Sequence, residues 1–292
     1  MKKFLLFIAF VAICNCQGIF AQNPYGTNEL NKAEELAKKG NYKEAELYYK
    51  KNIANRPTDW TGYFSISMFY SFATHDFDKG LKNMNIAIKY APQVNEILGG
   101  LHGLKGEIEE QTSDSLKAID DYNLSIKYSG DTLGYLGRGD LYYRKKKYDK
   151  SNADYSQVLK VNPNSSIALT GMGRNAAAIK DYNRALTYYN KAARLDPEYL
   201  YSREMRATCL YNMGRYKEGI KDVIYIYKKD DYHNYIVEFS NYWMLPEFET
   251  ALEEQKRLNP KDPQWRTLIG DVKTTKEIAK MAKEQHWGET GK

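Results

Sequence analysis

Catalysis needs nucleophiles, bases or metal ligands at usable spacing, and this chain offers few. Its four histidines are His75, His102, His233 and His286, and no two are spaced to bind a metal together with a nearby Cys, Asp or Glu. Glu109 with Glu110 and Asp120 with Asp121 are adjacent carboxylates, so on a helix they point in different directions. No glycine-rich phosphate loop, Gly-x-Ser-x-Gly turn or His-Glu-x-x-His pair occurs. The expectation is a non-catalytic protein with no catalytic, metal or cofactor residues. Cys209 reads as a small buried helix residue rather than a reactive thiol.

Charge gives little more direction. The formal net charge is +6, and it falls by two if Lys2 and Lys3 are removed. The run Arg144-Lys145-Lys146-Lys147 falls where a turn between helices is expected and reads as a solvated corner, not as a nucleic-acid surface.

The elements that must position any binding residue show themselves as a repeat. Segments of similar pattern end at Pro57, Pro163 and Pro197, as in Asn-Tyr-Lys-Glu-Ala-Glu-Leu-Tyr-Tyr and Asp-Tyr-Asn-Arg-Ala-Leu-Thr-Tyr-Tyr. Pro92 and Pro260 mark two further ends, and Gly130 and Asp231 substitute for proline in two units. A period of about 34 residues signals stacked units that bury their apolar faces only against neighbours. Proline stops each second helix by steering the preceding residue out of the helical region. Turns such as Lys39-Gly40-Asn41 and Met213-Gly214-Arg215 carry residues that tolerate positive φ.

In register, one position of the first helix holds Ala33, Met68, Gly106, Gly139, Gly173, Ala207 and Ile236. One position of the second holds Ala45, Gly80, Ala118, Ser151, Ala185, Gly219 and Phe248. Small residues at both let the helices approach, with Gly80 compensating for the large Met68. A third position, Tyr49, Met84, Tyr122, Tyr155, Tyr189, Val223 and Leu252, supplies a bulky plug between neighbouring units. The 26 tyrosines of the chain suit a thin solenoid, since the ring packs while the hydroxyl reaches water. Basic residues Lys105, Arg138 and Arg206 recur opposite Asp121, Asp154 and Asp222, which predicts an ion pair across each hairpin; Lys32, opposite Tyr48, departs from this.

These units resemble the tetratricopeptide repeat over roughly residues 26 to 260. The resemblance implies an all-α, right-handed superhelical solenoid of about seven to eight antiparallel helix hairpins. It also implies a concave face, lined by fixed positions of each first helix, that binds a protein or peptide partner. On this sequence the implied groove residues are Leu136, Asp140, Tyr143, Arg174, Tyr201, Glu204 and Tyr211, joined by the apolar Phe69 and Phe72. Some family members grip a peptide carboxylate with Lys and Asn at two groove positions. The corresponding residues here, Leu30 with Glu34, Ser65 with Phe69, Leu136 with Asp140 and Thr170 with Arg174, do not match, so that activity is not carried over.

The irregularities are two. The interval from Pro92 to Gly130 is longer than the period and contains Gly99, Gly100, Gly103 and Gly106, which make either a soft joint or a close-packing seam. At the start, Lys2 and Lys3, the apolar run Phe4 to Ile13 and the end Ile19-Phe20-Ala21-Gln22 predict a cleavable signal peptide over 1–21. That end resembles the signals of Bacteroidetes-type Gram-negative bacteria. Lipid attachment at Cys14 or Cys16 would need a small preceding residue, which Ile13 and Asn15 are not.

The expected organisation is a repeat array over 22–260 and a partial repeat with a capping helix over 261–292. The expected function is an exported scaffold or adaptor of the periplasm or cell envelope, with no nucleic-acid partner and no transmembrane segment in the mature chain. The alternative is an accessory or regulatory subunit of an envelope enzyme or secretion complex.

Overall fold

A computed structural model describes residues 27–112, 115–130, 132–229, 246–258 and 273. The proposed signal segment, most of the stretch beyond 260, and Ile236 lie outside the described residues. Those that are described form α1 (Asn28–Lys38), α2 (Tyr42–Asn55), α3 (Trp60–Met68), α4 (Phe77–Tyr90), α5 (Asn95–Gln111), α6 (Ser115–Ser129) and α7 (Thr132–Arg144). Then follow α8 (Tyr148–Val161), α9 (Ser166–Ala178), α10 (Tyr182–Leu195), α11 (Leu200–Asn212), α12 (Tyr216–Lys229) and α13 (Pro246–Leu258). No strand occurs among the described residues. The chain divides into two compact units, Met1–Lys150 and Ser151–Lys292.

Local chemistry starts and stops these helices. Side chains of Thr27, Asp59, Asp76, Ser165 and Asp181 accept hydrogen bonds from the first-turn amides of α1, α3, α4, α9 and α10. The expected reversals occur at Gly40 and Gly214, with φ of 79° and 70°. Lys146 and Lys180 take the same left-handed backbone at the equivalent turns, with φ of 57° and 64°. The basic run at 144–147 is therefore a turn, with Lys145, Lys146 and Lys147 exposed and Arg144 paired with Glu110.

In the first unit each hairpin packs consecutively, α1 on α2, α3 on α4 and α5 on α6. Leu30, Ala33 and Leu36 of α1 meet Ala45 and Tyr49 of α2. Met84 of α4 shares a cluster with Leu98, Leu101, Leu104 and Ile108 of α5. In the second unit α9 pairs with α10 and α11 with α12. There Ala176, Ala185, Leu186, Tyr189, Cys209 and Leu210 form the core.

The plug position behaves as the repeat predicts: Tyr49, Met84, Tyr122, Tyr155, Tyr189, Val223 and Leu252 are all buried. Glycines make room for the tyrosine rings among them. A Cβ added at Gly173 would lie 2.5 Å from Cε1 of Tyr189, and one at Gly137 would lie 2.2 Å from Cε1 of Tyr122. The glycines of α5 resolve in the same sense. A Cβ at Gly99 would meet the Oγ of Ser129 at 2.3 Å, and one at Gly103 would meet Cδ2 of Leu133 at 2.4 Å. Three of the four, with Gly106 against Tyr122, are therefore packing positions, and only Gly100 has open space.

Two expectations need correction here. Gly80 does not make room for Met68. A Cβ there would meet Oγ of Ser71 at 2.0 Å, and its carbonyl accepts from Ser67 Oγ at 2.7 Å, while Met68 turns into the next cluster. The cause is a π-helical turn over Phe69–Ala73 that continues α3. Its wider turn delivers Phe69 and Tyr70 together to the α1–α2 cluster. Phe69 is thus a core residue, 3% exposed, with its ring 5.2 Å from that of Tyr49, and it leaves the set of groove residues.

Candidate interaction surfaces

The remaining groove candidates distribute over the two units. In the first unit Phe72 is half-buried against the α4–α5 cluster. Leu136, Asp140 and Tyr143 lie at i, i+4 and i+7 on one face of α7, each half-buried, and the Tyr143 ring is 6.0 Å from that of Tyr148. In the second unit α9 and α11 bring two candidates together. The Arg174 guanidinium lies over the Tyr201 ring, 5.7 Å from its centroid, within cation–π range. Glu204 and Tyr211 continue along the same face of α11, also half-buried, and the Tyr211 ring is 5.3 Å from that of Tyr216.

Two of the three predicted hairpin ion pairs are seen, one in each unit. Lys105 Nζ is 2.9 Å from Asp121 Oδ2, and Arg206 donates from Nε to Asp222 Oδ2 at 2.6 Å. Lys32, which departed from the pattern, pairs with Glu35 at 3.3 Å. Each of these two pairs has further partners that the two-residue correlation did not show.

In the first unit His102 Nδ1 lies 2.6 Å from Asp121 Oδ1, its ring is stacked on Tyr128, and Glu109 is 3.5 Å from Lys105. Burial against these neighbours, reinforced by the Asp121 carboxylate, pushes Glu109 up to about 7. Asp121 is held low despite its burial, because His102 and Lys105 both hydrogen-bond to it. Beside this group, burial raises the Glu110 carboxyl against the pull of Arg144, and the Tyr122 hydroxyl donates to Glu110 at 2.9 Å. The two adjacent glutamates thus have separate partners, as their different directions on the helix require.

Glu109 is a group with a displaced proton affinity that the repeat pattern does not mark. The signal that could have found it is the spacing of His102, Lys105 and Glu109 along one face of α5, opposite Asp121.

In the second unit Asp222 receives two guanidinium groups. Arg203 donates from Nη1 at 3.1 Å, and Arg206 uses Nη1 as well for Asn190 at 2.8 Å. The Arg203 guanidinium stacks on Tyr225 at 3.8 Å. Cys209 is buried, its thiol pushed up to about 11 by that burial, which makes it an inert core residue. Among the described residues no group of three or more His, Cys, Asp and Glu side chains could hold a metal ion, and no helix is long and apolar enough to cross a membrane.

Comparison with known proteins places this arrangement. A family profile described as "Tetratricopeptide repeat" matches residues 136–199 and 170–232. A crystal structure of a tetratricopeptide repeat protein from Parabacteroides merdae aligns with 85% of this chain and 97% of its own, at 16% identity and a TM-score of 0.58. This chain carries tetratricopeptide repeats.

The fold likeness extends to a crystal structure of the APC/C hetero-tetramer Cut9-Hcn1, with a TM-score of 0.62, 14% identity, and coverage of 91% of this chain and 52% of that one. In sequence, the tetratricopeptide-repeat chain is similar to anaphase-promoting complex subunit 3 of Schizosaccharomyces pombe, 25% identical over 138 residues. It is also similar to the peroxisomal targeting signal receptor of Kluyveromyces lactis, 29% identical over 89 residues. These matches cover 46% and 30% of this chain and only 20% and 16% of those relatives. The tetratricopeptide-repeat chain is thus similar to limited parts of them.

Proposed function

We propose that this protein is an exported, non-catalytic adaptor that holds a peptide or helix of a partner protein on the first-helix face of its repeats. The observation that carries this is the pairing of Arg174 with Tyr201 across α9 and α11, continued by Glu204 and Tyr211. Aromatic and arginine side chains are the usual anchors of protein recognition, and half-buried rings lose little conformational entropy when a partner covers them. The names of two relatives, a complex subunit and a targeting signal receptor, support binding to other proteins. Export rests on the signal-like segment at 1–21, and it sets the periplasm or cell envelope as the place of action.

The test is capture from a native envelope fraction by the mature chain, beside a variant with Arg174, Tyr201 and Tyr211 all changed to Ala. A protein retained by the first and lost by the still-helical variant is the expected result. Equal retention by both would move the binding surface elsewhere. The mature N-terminus, read by mass spectrometry, should begin at Gln22; an intact Met1 would remove the envelope from this reading.

A further inference from the structure

Helix α11 has a second functional-looking face. Arg203, Arg206 and Leu210 recur at spacings of three and four, and on a helix of 3.6 residues per turn they point about 140° away from Tyr201, Glu204 and Tyr211. They open into a cavity of about 430 Å³ between α10, α11 and α12. That volume falls within the ~300–1,000 Å³ typical of ligand pockets.

The charge of this cavity does not cancel. On its floor two arginines meet one carboxylate, Asp222, which leaves one positive charge. At the rim Arg215 and Glu218 neutralise each other through hydrogen bonds of 2.7 and 2.8 Å. Lys221, exposed beside them, also acts on Glu218 through its charge, with no salt bridge of its own among the described residues. The surplus is therefore two positive charges. Arg203 gives Asp222 a single hydrogen bond, and its Nε is a buried donor with no acceptor. The apolar part of its lining is the Tyr225 ring under Arg203 and the side chains of Leu186 and Leu210.

We propose that this cavity binds an acidic side chain of a peptide segment, with the carboxylate between Lys221 and Arg203 and flanking apolar groups against Leu210 and Tyr225. A monovalent carboxylate takes up half of this surplus and brings one negative charge toward Asp222, whereas a phosphate dianion would bring nearly two. The volume exceeds what a bare carboxylate fills, so the group arrives on a larger body whose apolar parts can meet Leu210 and Tyr225. This surface is distinct from the Arg174–Tyr201 face, so one helix would hold two segments of a partner, or two partners.

The experiment is calorimetric titration of the full chain with acetyl-Leu-Glu-Leu-Glu-Leu-amide, with its Gln counterpart, with glutarate and with inorganic phosphate. Saturable binding of the acidic peptide alone, weakened by rising salt, is expected. Lys221→Gln should weaken it about tenfold, equivalent to ~1.4 kcal/mol. Tyr201→Ala with Tyr211→Ala should leave it unchanged.

Arg203→Gln should abolish it with helical content retained; if that variant unfolds, the exposed Lys221→Gln change decides. Equal binding of the Gln peptide, no effect of Lys221→Gln, or loss on changing Tyr201 and Tyr211 would each overturn the assignment. Glutarate or phosphate binding as tightly as the peptide would replace it with a small-anion site, and no saturable binding would remove it.

Discussion

Asp121 and Asp222 occupy the same position of their repeats, and their surroundings differ in one respect that changes their chemistry. Among the described residues, Asp222 is the only carboxylate in ion-pair contact with Arg203 and Arg206, and arginine side chains stay charged at any physiological pH. Asp121 shares Lys105 with a second carboxylate, Glu109, and its other partner is a histidine. The second site holds a proton whose position depends on pH. A hairpin ion pair is therefore a fixed clamp or a titrating one according to how many carboxylates surround the cation.

The largest effect should separate the two clamps directly. Asp222→Ala leaves two largely buried guanidinium groups without an anion and should lower stability by about 3 kcal/mol, read from the denaturant midpoint. Asp121→Ala should lose less, about 1–2 kcal/mol, because Glu109 then ionises beside Lys105 and takes over the charge. Equal losses at the two sites would end the distinction.

The next effect is in pH. Glu109 has a folded value of about 7 against 4.5 when unperturbed, so the folded state holds its proton more tightly. Its contribution is fully present below the unfolded value and is lost as pH rises through about 7. Asp121 is shifted the other way, so its contribution is present above its unperturbed 3.8 and is lost in acid. Thermal melts from pH 4 to 9 should therefore show unfolding that becomes easier toward the alkaline end, and Glu109→Gln should flatten that slope. A slope that survives the substitution would place the titration on another group.

The smallest effect refines the second clamp. Asn190→Ala removes one exposed hydrogen bond to Arg206 while both bonds to Asp222 remain, and should cost about 0.5–1.5 kcal/mol in the denaturant midpoint. A loss as large as that of Asp222→Ala would show that Arg206 is positioned by Asn190 and not by the carboxylate.

Much of this was legible in the residues because packing in a repeat is local. Tyr189, Tyr155 and Val223 recur at one position, and a bulky residue repeated between small ones has few other uses than to plug the gap to its neighbour. The Lys105–Asp121 and Arg206–Asp222 pairs followed from the same register. Phe69 was misread because the register assumes an unbroken α-helix, and the π-helical turn at Phe69–Ala73 shifts which side chains face the core. Glu109 was missed because proton affinity depends on burial and on charges from a second helix, neither of which is a property of its neighbours in sequence.

What the sequence by itself determined is the all-helical hairpin repeat, its buried plug residues, its glycine turns and the existence of charge pairs across hairpins. These follow from side-chain size and periodicity, which act over a few residues and one neighbouring unit. What only the tertiary structure decided is which glycines cradle tyrosine rings, where α3 widens, how Glu109 keeps its proton, and that Arg203 and Arg206 line a cavity with surplus charge. Each of these depends on distances between helices and on the exclusion of water, and those are set when the helices pack together.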